Sequence, residues 1–445
     1  MDISVILPVV NERDNLEALL PRLKAILERE RLKYEIIVVN GKSTDRTPEL
    51  AAALGARVLA ERTPGYAGAL STGFREARGA YLLTLDADLS HEPDFVTKMW
   101  RAREHADIVV ASRYVRGGAA YTSFTRKKLS AALNRFLRRL LSVPIRDLSS
   151  GFRLYRREVL KHVTLEGRNF DVLEEILVKA YAGGFSVTEV PFTYFPRGTG
   201  RSHARLVRFG FDIARSTLKL WRLRNSVDSA DYDERAFYSI IPVQRYWQRR
   251  RHRVVLSWAR GAERVLDAGC GSSVIVQSLN NVVGMDFAFP KLRFLRRYRI
   301  PLAQGSAFAL PFANEVFDCV ISSQVIEHVV PDEVLFAEMH RVLRPGGRLI
   351  VGTPDYDTIS WRIIEPIYGF VIPGGYRHEH ITHYTRAGLE RILESHGFAI
   401  EKVAYVAGSE LILRCRKVAT ASNTAAWTRE IVSQPYTSPY PRLSC

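Results

Sequence analysis

At 445 residues and 47% apolar content the chain can bury two or three ordinary cores, yet it holds no run of eighteen consecutive apolar residues to span a membrane. Its 64 basic against 47 acidic residues leave a formal charge of +17, which calls for a polyanionic partner, either anionic lipid headgroups or nucleic acid. The four cysteines, Cys270, Cys319, Cys415 and Cys445, form no CxxC pair; this argues against a disulfide framework or zinc ribbon and fits a reducing cytoplasm.

Met1 leads straight into the strand-like Ile3–Leu7, without the basic and apolar regions of a secretory leader. Further β-rich runs at Tyr34–Val39, Arg57–Ala60, Tyr81–Leu85 and Asp107–Val110 alternate with helical periodicity such as Leu16, Leu19, Leu20, Leu23 and Leu27. The alternation predicts an α/β fold with a parallel, doubly wound sheet. Ligands of such sheets collect at the carboxyl ends of strands, where Pro8–Asn11, Asn40–Asp45 and Asp86–Ser90 fall. Asp86 and Asp88, two apart where the chain leaves a strand, can hold a hard cation, and that cation would neutralise a departing diphosphate. Gly65, Gly68, Ala69 and Gly73 supply small residues that let a nucleotide sugar approach, and Asn11-Glu12 follows the first strand.

Two basic amphipathic helices come next. In 124–141, Leu129, Leu133, Phe136 and Leu140 recur among Arg126, Lys127, Lys128, Arg135, Arg138 and Arg139. In 205–224, Leu206, Phe209, Ile213, Leu220 and Trp221 face Arg205, Arg208, Arg215, Lys219, Arg222 and Arg224. Each can lie on an anionic membrane, gaining roughly 1 kcal/mol per basic residue near the surface, or pack its apolar face on the protein.

The short polar stretch Ser226–Asp231 marks a boundary, and a basic helix at Val243–Trp258 follows. A second βαβ pattern then runs through Arg264–Asp267, Val282–Asp286, Phe317–Ser322 and Arg348–Thr353. The turn Gly269-Cys270-Gly271 lets backbone amides approach a ligand, and Asp286 ends the next strand at the spacing of an acid that accepts from a ribose diol. His378, His380 and His383 in HEHITHY offer a base or metal ligands, although their spacing matches no closed zinc pattern; His328 reads as a lining residue. The aperiodic stretch 417–445 is expected to be a disordered tail.

The ordered segments LPVVNERDNL, EIIVV, STDRT, GYAGALSTGF, LDADLSH, ASRY, DLSSGFRLYRREVL and EVPFTY together resemble the dolichol-phosphate mannose synthase group of inverting family 2 glycosyltransferases. The resemblance implies a GT-A fold over 1–225 and a nucleotide-sugar donor bound around Pro8, Asn11, Glu12, Asn40, Gly65, Gly68 and Ala69. It places Mg2+ or Mn2+ at Asp86 and Asp88, and the phosphate of a polyprenyl acceptor at Arg113, Arg126 and Ser130. Asp147 is a candidate catalytic carboxylate or a turn residue. One departure stands out: Asn40-Gly41-Lys42 replaces the usual Asp-Asp-Gly, which removes a carboxylate near the donor base.

RVLDAGCGSS, VVGMD, ALPFANEVFDCVISSQVIEHV and EMHRVLRPGGRLIVGTPD resemble class I S-adenosylmethionine methyltransferases with a Rossmann-like fold, over 226–416. By that resemblance Asp267, Gly269, Cys270 and Gly271 hold the methionine end of S-adenosylmethionine, Asp286 its ribose, and Ser306 and Ala307 flank the adenine. Ser306 stands where relatives often carry an aspartate. The sequence therefore reads as a bifunctional, cytoplasmic enzyme, peripheral at the inner face of a membrane. The alternatives are an active methyltransferase joined to a lapsed, lipid-binding or scaffolding first half, and an RNA methyltransferase, which no RNA-binding module or stacking motif in the sequence supports.

Overall fold

The computed structural model describes residues 1–167, 169, 171–195, 206–330, 332–371 and 380–418, without the side chains of 126, 206–214 and 366–371. His378, the Arg126 side chain and the tail from 419 onward lie outside the described residues. The chain divides into two compact units. One comprises Met1–Arg235 and Ala288–Arg299, with the described part of Tyr368–Tyr376; the other comprises Ala236–Phe287, Ile300–Ile367 and the described part of Arg377–Cys445.

The first unit carries β1 (Ile3–Val9), β2 (Tyr34–Asn40), β3 (Arg57–Ala60), β4 (Tyr81–Thr84), β5 (Ile108–Ser112), β6 (Ala119–Ala120), β7 (Arg153–Arg156), β8 (Val187–Pro191) and β9 (Thr193–Tyr194). Seven of them form a sheet of order β3-β2-β1-β4-β7-β5-β8, and β6 pairs with β9. The strand order reverses between β1 and β4, so the turns after these two strands flank the crevice where open α/β sheets bind ligands. The helix Arg13–Arg29 presents Leu16, Leu19, Leu20, Leu23 and Leu27 to the core, all fully buried, at about 1.5–3 kcal/mol each. Gly68 and Gly73 serve packing: a β-carbon on the first would stand 1.8 Å from the Thr63 carbonyl oxygen, and on the second 2.4 Å from Ile6.

The expected parallel sheet is mixed, because β7 runs antiparallel to both β4 and β5. After β5 the chain stays at the carboxyl edge through the helix Phe124–Leu140, so β7 enters the sheet from that edge and must run backwards. This reversal delivers residues 147–151 beside the end of β4, where the Thr84 hydroxyl donates to the Gly151 carbonyl at 2.7 Å.

The two amphipathic helices differ. In Phe124–Leu140, Asn134 and Leu137 point inward, while Leu129 and Phe136 are 70% and 58% exposed and Leu133 is exposed as well. The helix Leu206–Asn225 ends in the protein: Arg224, expected on a membrane face, is fully buried, paired with Asp231 and donating to the Leu141 and Ser142 carbonyls. A buried guanidinium needs such partners, so its helix position alone did not disclose its direction. Ser229 and Asp231 of the expected polar linker are buried too.

The second unit contains β10 (Val265–Ala268), β11 (Val282–Asp286), β12 (Leu302–Gln304), β13 (Phe317–Ser323), β14 (Leu343–Pro354), β15 (Phe398–Val406) and β16 (Glu410–Lys417), in the order β12-β11-β10-β13-β14-β16-β15. Strands β10 to β14 pair in parallel, while β16 is antiparallel to β14 and β15. The order reverses between β10 and β13, which puts Gly269 to Gly271 and the Ile326–His328 turn at the switch point. Lys417, the first residue of the expected tail, closes β16. Among the described residues, no helix is long and apolar enough to cross a membrane.

Candidate functional site

In the first unit Asp86 and Asp88 leave β4 at the switch point. Asp88 is buried and its Oδ1 accepts from the Ser90 amide and hydroxyl, whereas the Asp86 side chain is 35% exposed. Leu89, at φ 61, bends the chain just after Asp88. Two residues missed as individual site members frame Asp86. The Asp86 amide donates to His91 Nδ1 at 2.9 Å, and His91 stacks on Phe152 at 5.1 Å. Burial lowers the His91 pKa, so the ring is neutral at pH 7 and Nδ1 accepts. Tyr66 is hydrogen-bonded to Asp86, and burial together with the Asp86 charge pushes its pKa well up. Gly151 keeps this corner open: a β-carbon there would lie 2.8 Å from the Tyr66 hydroxyl and 3.6 Å from Asp86 Oδ1. One pinned and one open carboxylate suit a hard cation of the Mg2+ or Mn2+ kind.

The turns after β1 and β2 are stitched together. Asn11, at φ 55, donates its amide to Ser43 Oγ at 2.9 Å and accepts from the Thr44 amide at 2.7 Å. The Glu12 amide donates to Thr47 Oγ1 and the Asn40 side chain accepts from the Ser43 amide, both at 3.0 Å; Pro8, in β1, precedes this turn. Ala69 is buried, and Gly65, at φ 106, starts the Tyr66–Glu76 helix. Its amide donates to Glu61 Oε2 at 3.1 Å. The same oxygen lies 3.4 Å from where a Gly41 β-carbon would stand, so a carboxylate borders the position from which the sequence removed one.

At the end of β5, Arg113 grips Asp147. Its Nε and Nη2 donate to the two carboxylate oxygens at 2.8 and 2.7 Å, and its amide adds a third bond at 2.9 Å. Burial alone would lower the Arg113 pKa, but the bonds and charge of Asp147 raise it above the ordinary arginine value. Arg113 also donates to Ser149 Oγ, which accepts from Asn134, while Tyr114 donates to Ser130 at 2.8 Å. Asp147 is fully buried and its amide is held by Glu189. Nearby, burial pushes Glu174 up to about 7, with Arg153 opposing and Asp171 and Asp147 adding to the rise.

In the second unit the Gly269 and Cys270 amides donate to the Met285 carbonyl at 2.8 and 2.9 Å, and the Gly271 amide to Asp286 Oδ2 at 2.7 Å. Gly269 and Gly271, at φ 79 and 54, adopt a backbone that favours glycine, and a β-carbon on Gly269 would stand 2.4 Å from Val325. Asp267 is buried at the end of β10. Ser306 caps its own turn by accepting from the Phe308 amide, with Ala307 between them. The helix after the glycine turn, Val274–Gln277, is only four residues long.

Close by, Glu327 is fully buried and burial pushes it up to about 8. His328 and His380 lie with ring centroids 5.0 Å apart. Tyr356 stacks on His383 at 4.0 Å, and burial lowers His380 to about 4. Sequence spacing could not join Glu327 to His380, because half a hundred residues separate them.

Two switch-point sites, one built on paired aspartates and the other on a glycine turn, define a two-domain transferase. The sequence pattern of "Glycosyl transferase family 2" matches residues 4–164, and that of "Methyltransferase domain" residues 266–351. The chain belongs to glycosyl transferase family 2 through its first half and is fused to a methyltransferase domain. Among similar proteins, the dolichol-phosphate mannosyltransferase of Pyrococcus furiosus is 36% identical over 238 residues, covering 51% of this chain and 66% of that protein. The polyprenol monophosphomannose synthase of Mycolicibacterium smegmatis is 32% identical over 252 residues, covering 51% of this chain and 89% of that protein. A solved structure of glucosyl-3-phosphoglycerate synthase from Mycobacterium tuberculosis, in complex with Mn2+, UDP and glucosyl-3-phosphoglycerate, is 20% identical, with a TM-score of 0.40 over 49% of this chain and 79% of its own. Likeness at that score is too weak to bear on function.

Proposed function

We propose that the first unit transfers a sugar, mannose by analogy with its relatives, from a nucleotide diphosphate sugar to a polyprenyl phosphate, and that the second transfers a methyl group from S-adenosylmethionine to a glycan or lipid. The observation that carries the first reading is the Asp86–Tyr66–His91 corner, bordered by Gly151, with Arg113 and Asp147 near enough to His91 to act on its charge. A Mg2+ or Mn2+ ion held by Asp86 and Asp88 would supply charge neutralisation for the departing diphosphate. The acceptor phosphate oxygen forms the new bond to the anomeric carbon while the bond to the diphosphate breaks, its electron pair leaving with the diphosphate, so configuration inverts. No general base is required, since a phosphate monoester with a second pKa near ~6 is largely ionised at pH 7. Asp147 therefore acts as a positioning residue, aiming Arg113 at the acceptor phosphate beside Ser130. Glu61 stands in for the carboxylate missing at position 41, which favours an active donor site over a lapsed one.

For the second unit, Asp267 and Gly269 to Gly271 hold the methionine end of the cofactor and Asp286 the ribose; the Gly271 amide keeps the Asp286 carboxylate oriented. The helix Phe124–Leu140, with Phe124, Leu129 and Phe136 exposed among lysines and arginines, docks on an anionic membrane surface. The first compact unit runs past the expected boundary at 225 to Arg235, because Arg224 is paired with the buried Asp231, and the enzyme works at the cytoplasmic face.

The test is a nucleotide-sugar panel with polyprenyl phosphate, run with Mn2+, Mg2+ or chelator. Glycolipid should form in a metal-dependent way and fall roughly 100- to 1,000-fold in Asp86→Ala. Unchanged product in Asp86→Ala sinks the assignment. Labelled S-adenosylmethionine in the same reaction should label the glycolipid; label in RNA alone would favour the nucleic-acid reading.

A further inference from the structure

We propose that the second unit binds a divalent transition-metal cation through Glu327, His328 and His380, beside the cofactor turn. One ligand atom from each of the three residues lies within 4.8 Å of the others. Ligation at ~2.0–2.2 Å then needs only modest side-chain rotation. Glu327 supplies the independent reason for a cation. Its carboxyl group is fully buried, and its oxygens have the Thr353 hydroxyl near them, short of a well-formed hydrogen bond. Ionising a carboxyl group buried in this way is costly, and a bound cation offsets that cost.

The framework around the three residues is already fixed. The Ile326–His328 turn follows β13 at the switch point, and its predecessor Val325 packs against Gly269. The strand of chain bearing His380 is tied to the same turn: the Ile381 and Thr382 amides donate to the Glu327 carbonyl at 2.8 and 3.1 Å, and the Thr382 hydroxyl donates to the Val329 carbonyl at 2.6 Å. The Tyr356 hydroxyl lies 2.8 Å from His380 Nδ1 and donates to Glu365 Oε1 at 3.2 Å. In that chain Nδ1–H donates to the Tyr356 oxygen, which presents the Nε2 lone pair as the ligand atom. This is the outer support that metal-binding histidines commonly have. Two imidazoles and one carboxylate suit zinc, manganese, iron or cobalt better than calcium.

The role of the cation rests on reading this unit as a methyltransferase. A cation here holds an acceptor hydroxyl next to the methyl donor and lowers its pKa. The hydroxyl proton passes to solvent and the oxygen bonds to the methyl carbon. The S–CH3 bond breaks with its electron pair retained by sulfur, converting the sulfonium to a thioether.

The experiment uses the full chain carrying Asp86→Asn and Asp88→Asn, so that the first unit's carboxylates do not compete. Cobalt chloride is titrated by equilibrium dialysis, copper chloride is followed by electron paramagnetic resonance, and S-adenosylmethionine binding is measured calorimetrically on the same samples. We expect one cobalt per chain, nitrogen coupling in the copper spectrum, and at least about tenfold weaker cobalt binding in Glu327→Gln and His380→Ala, with S-adenosylmethionine binding retained. Cobalt binding equal to the parent's in both variants, or a parent copper spectrum without nitrogen coupling, overturns the proposal. The spectrum reads the parent protein, so misfolding of a variant does not obscure the answer. Cobalt bound at these residues without S-adenosylmethionine binding would leave the cation site standing and sink the methyltransferase reading instead.

Discussion

The Arg113–Asp147 edge of the first unit and the switch point of the second bury ionisable side chains in opposite ways. At the first, Arg113, Asp147, Ser149 and Asn134 satisfy one another with hydrogen bonds of 2.7–3.1 Å. At the second, the Glu327 carboxylate is buried without such bonds. The difference teaches that the first network is satisfied within the protein, whereas Glu327 is buried with little to pair its charge once ionised. Preorganised charge lowers the reorganisation needed during reaction.

Removing one member of the satisfied network should cost most. Asp147→Ala leaves Arg113 unpaired in a largely buried place and is expected to destabilise the first unit by about 3–5 kcal/mol, measured by urea unfolding. A cost below about 1 kcal/mol would mean that Arg113 is solvated and the contrast is false. On the other side, Gly269→Ala pushes a β-carbon into Val325 at a positive φ. Its calorimetric S-adenosylmethionine affinity is expected to fall at least roughly tenfold, since such strain costs about 1–3 kcal/mol; normal affinity would show the turn can yield.

Smaller effects sharpen the donor side. Glu61→Gln keeps the bond from the Gly65 amide but loses the charge, so the KM for the nucleotide sugar should rise roughly three- to tenfold with kcat little changed. Glu174 gives a pH signature. Burial holds it at about 7, above the ~4.3 of an unfolded glutamate, so the folded chain binds this proton more tightly. That contribution to stability is fully present below pH ~4.3 and is lost as pH rises through 7. Glu174→Gln should therefore flatten the fall in Tm across that window; an unchanged slope would place the titration elsewhere.

Much of this was legible in the sequence, where strand boundaries, the leucine stripe of the first helix and both ligand turns follow from local period and turn chemistry. Those features depend on neighbours a few residues apart, so the linear order carries them. The antiparallel β7 was not legible, because its direction depends on which edge a forty-residue excursion returns from. Nor was the exposure of Leu129 and Phe136, since an apolar stripe reads the same whether it meets a core or a surface. The compensating Glu61, the Tyr66 and His91 frame of Asp86, and the meeting of Glu327 with His380 are contacts between distant segments. The sequence by itself determined two transferase folds and the residues at their switch points. Only the tertiary structure decided how those residues are partnered, because burial and pairing are set by the chain's return path and not by spacing along it.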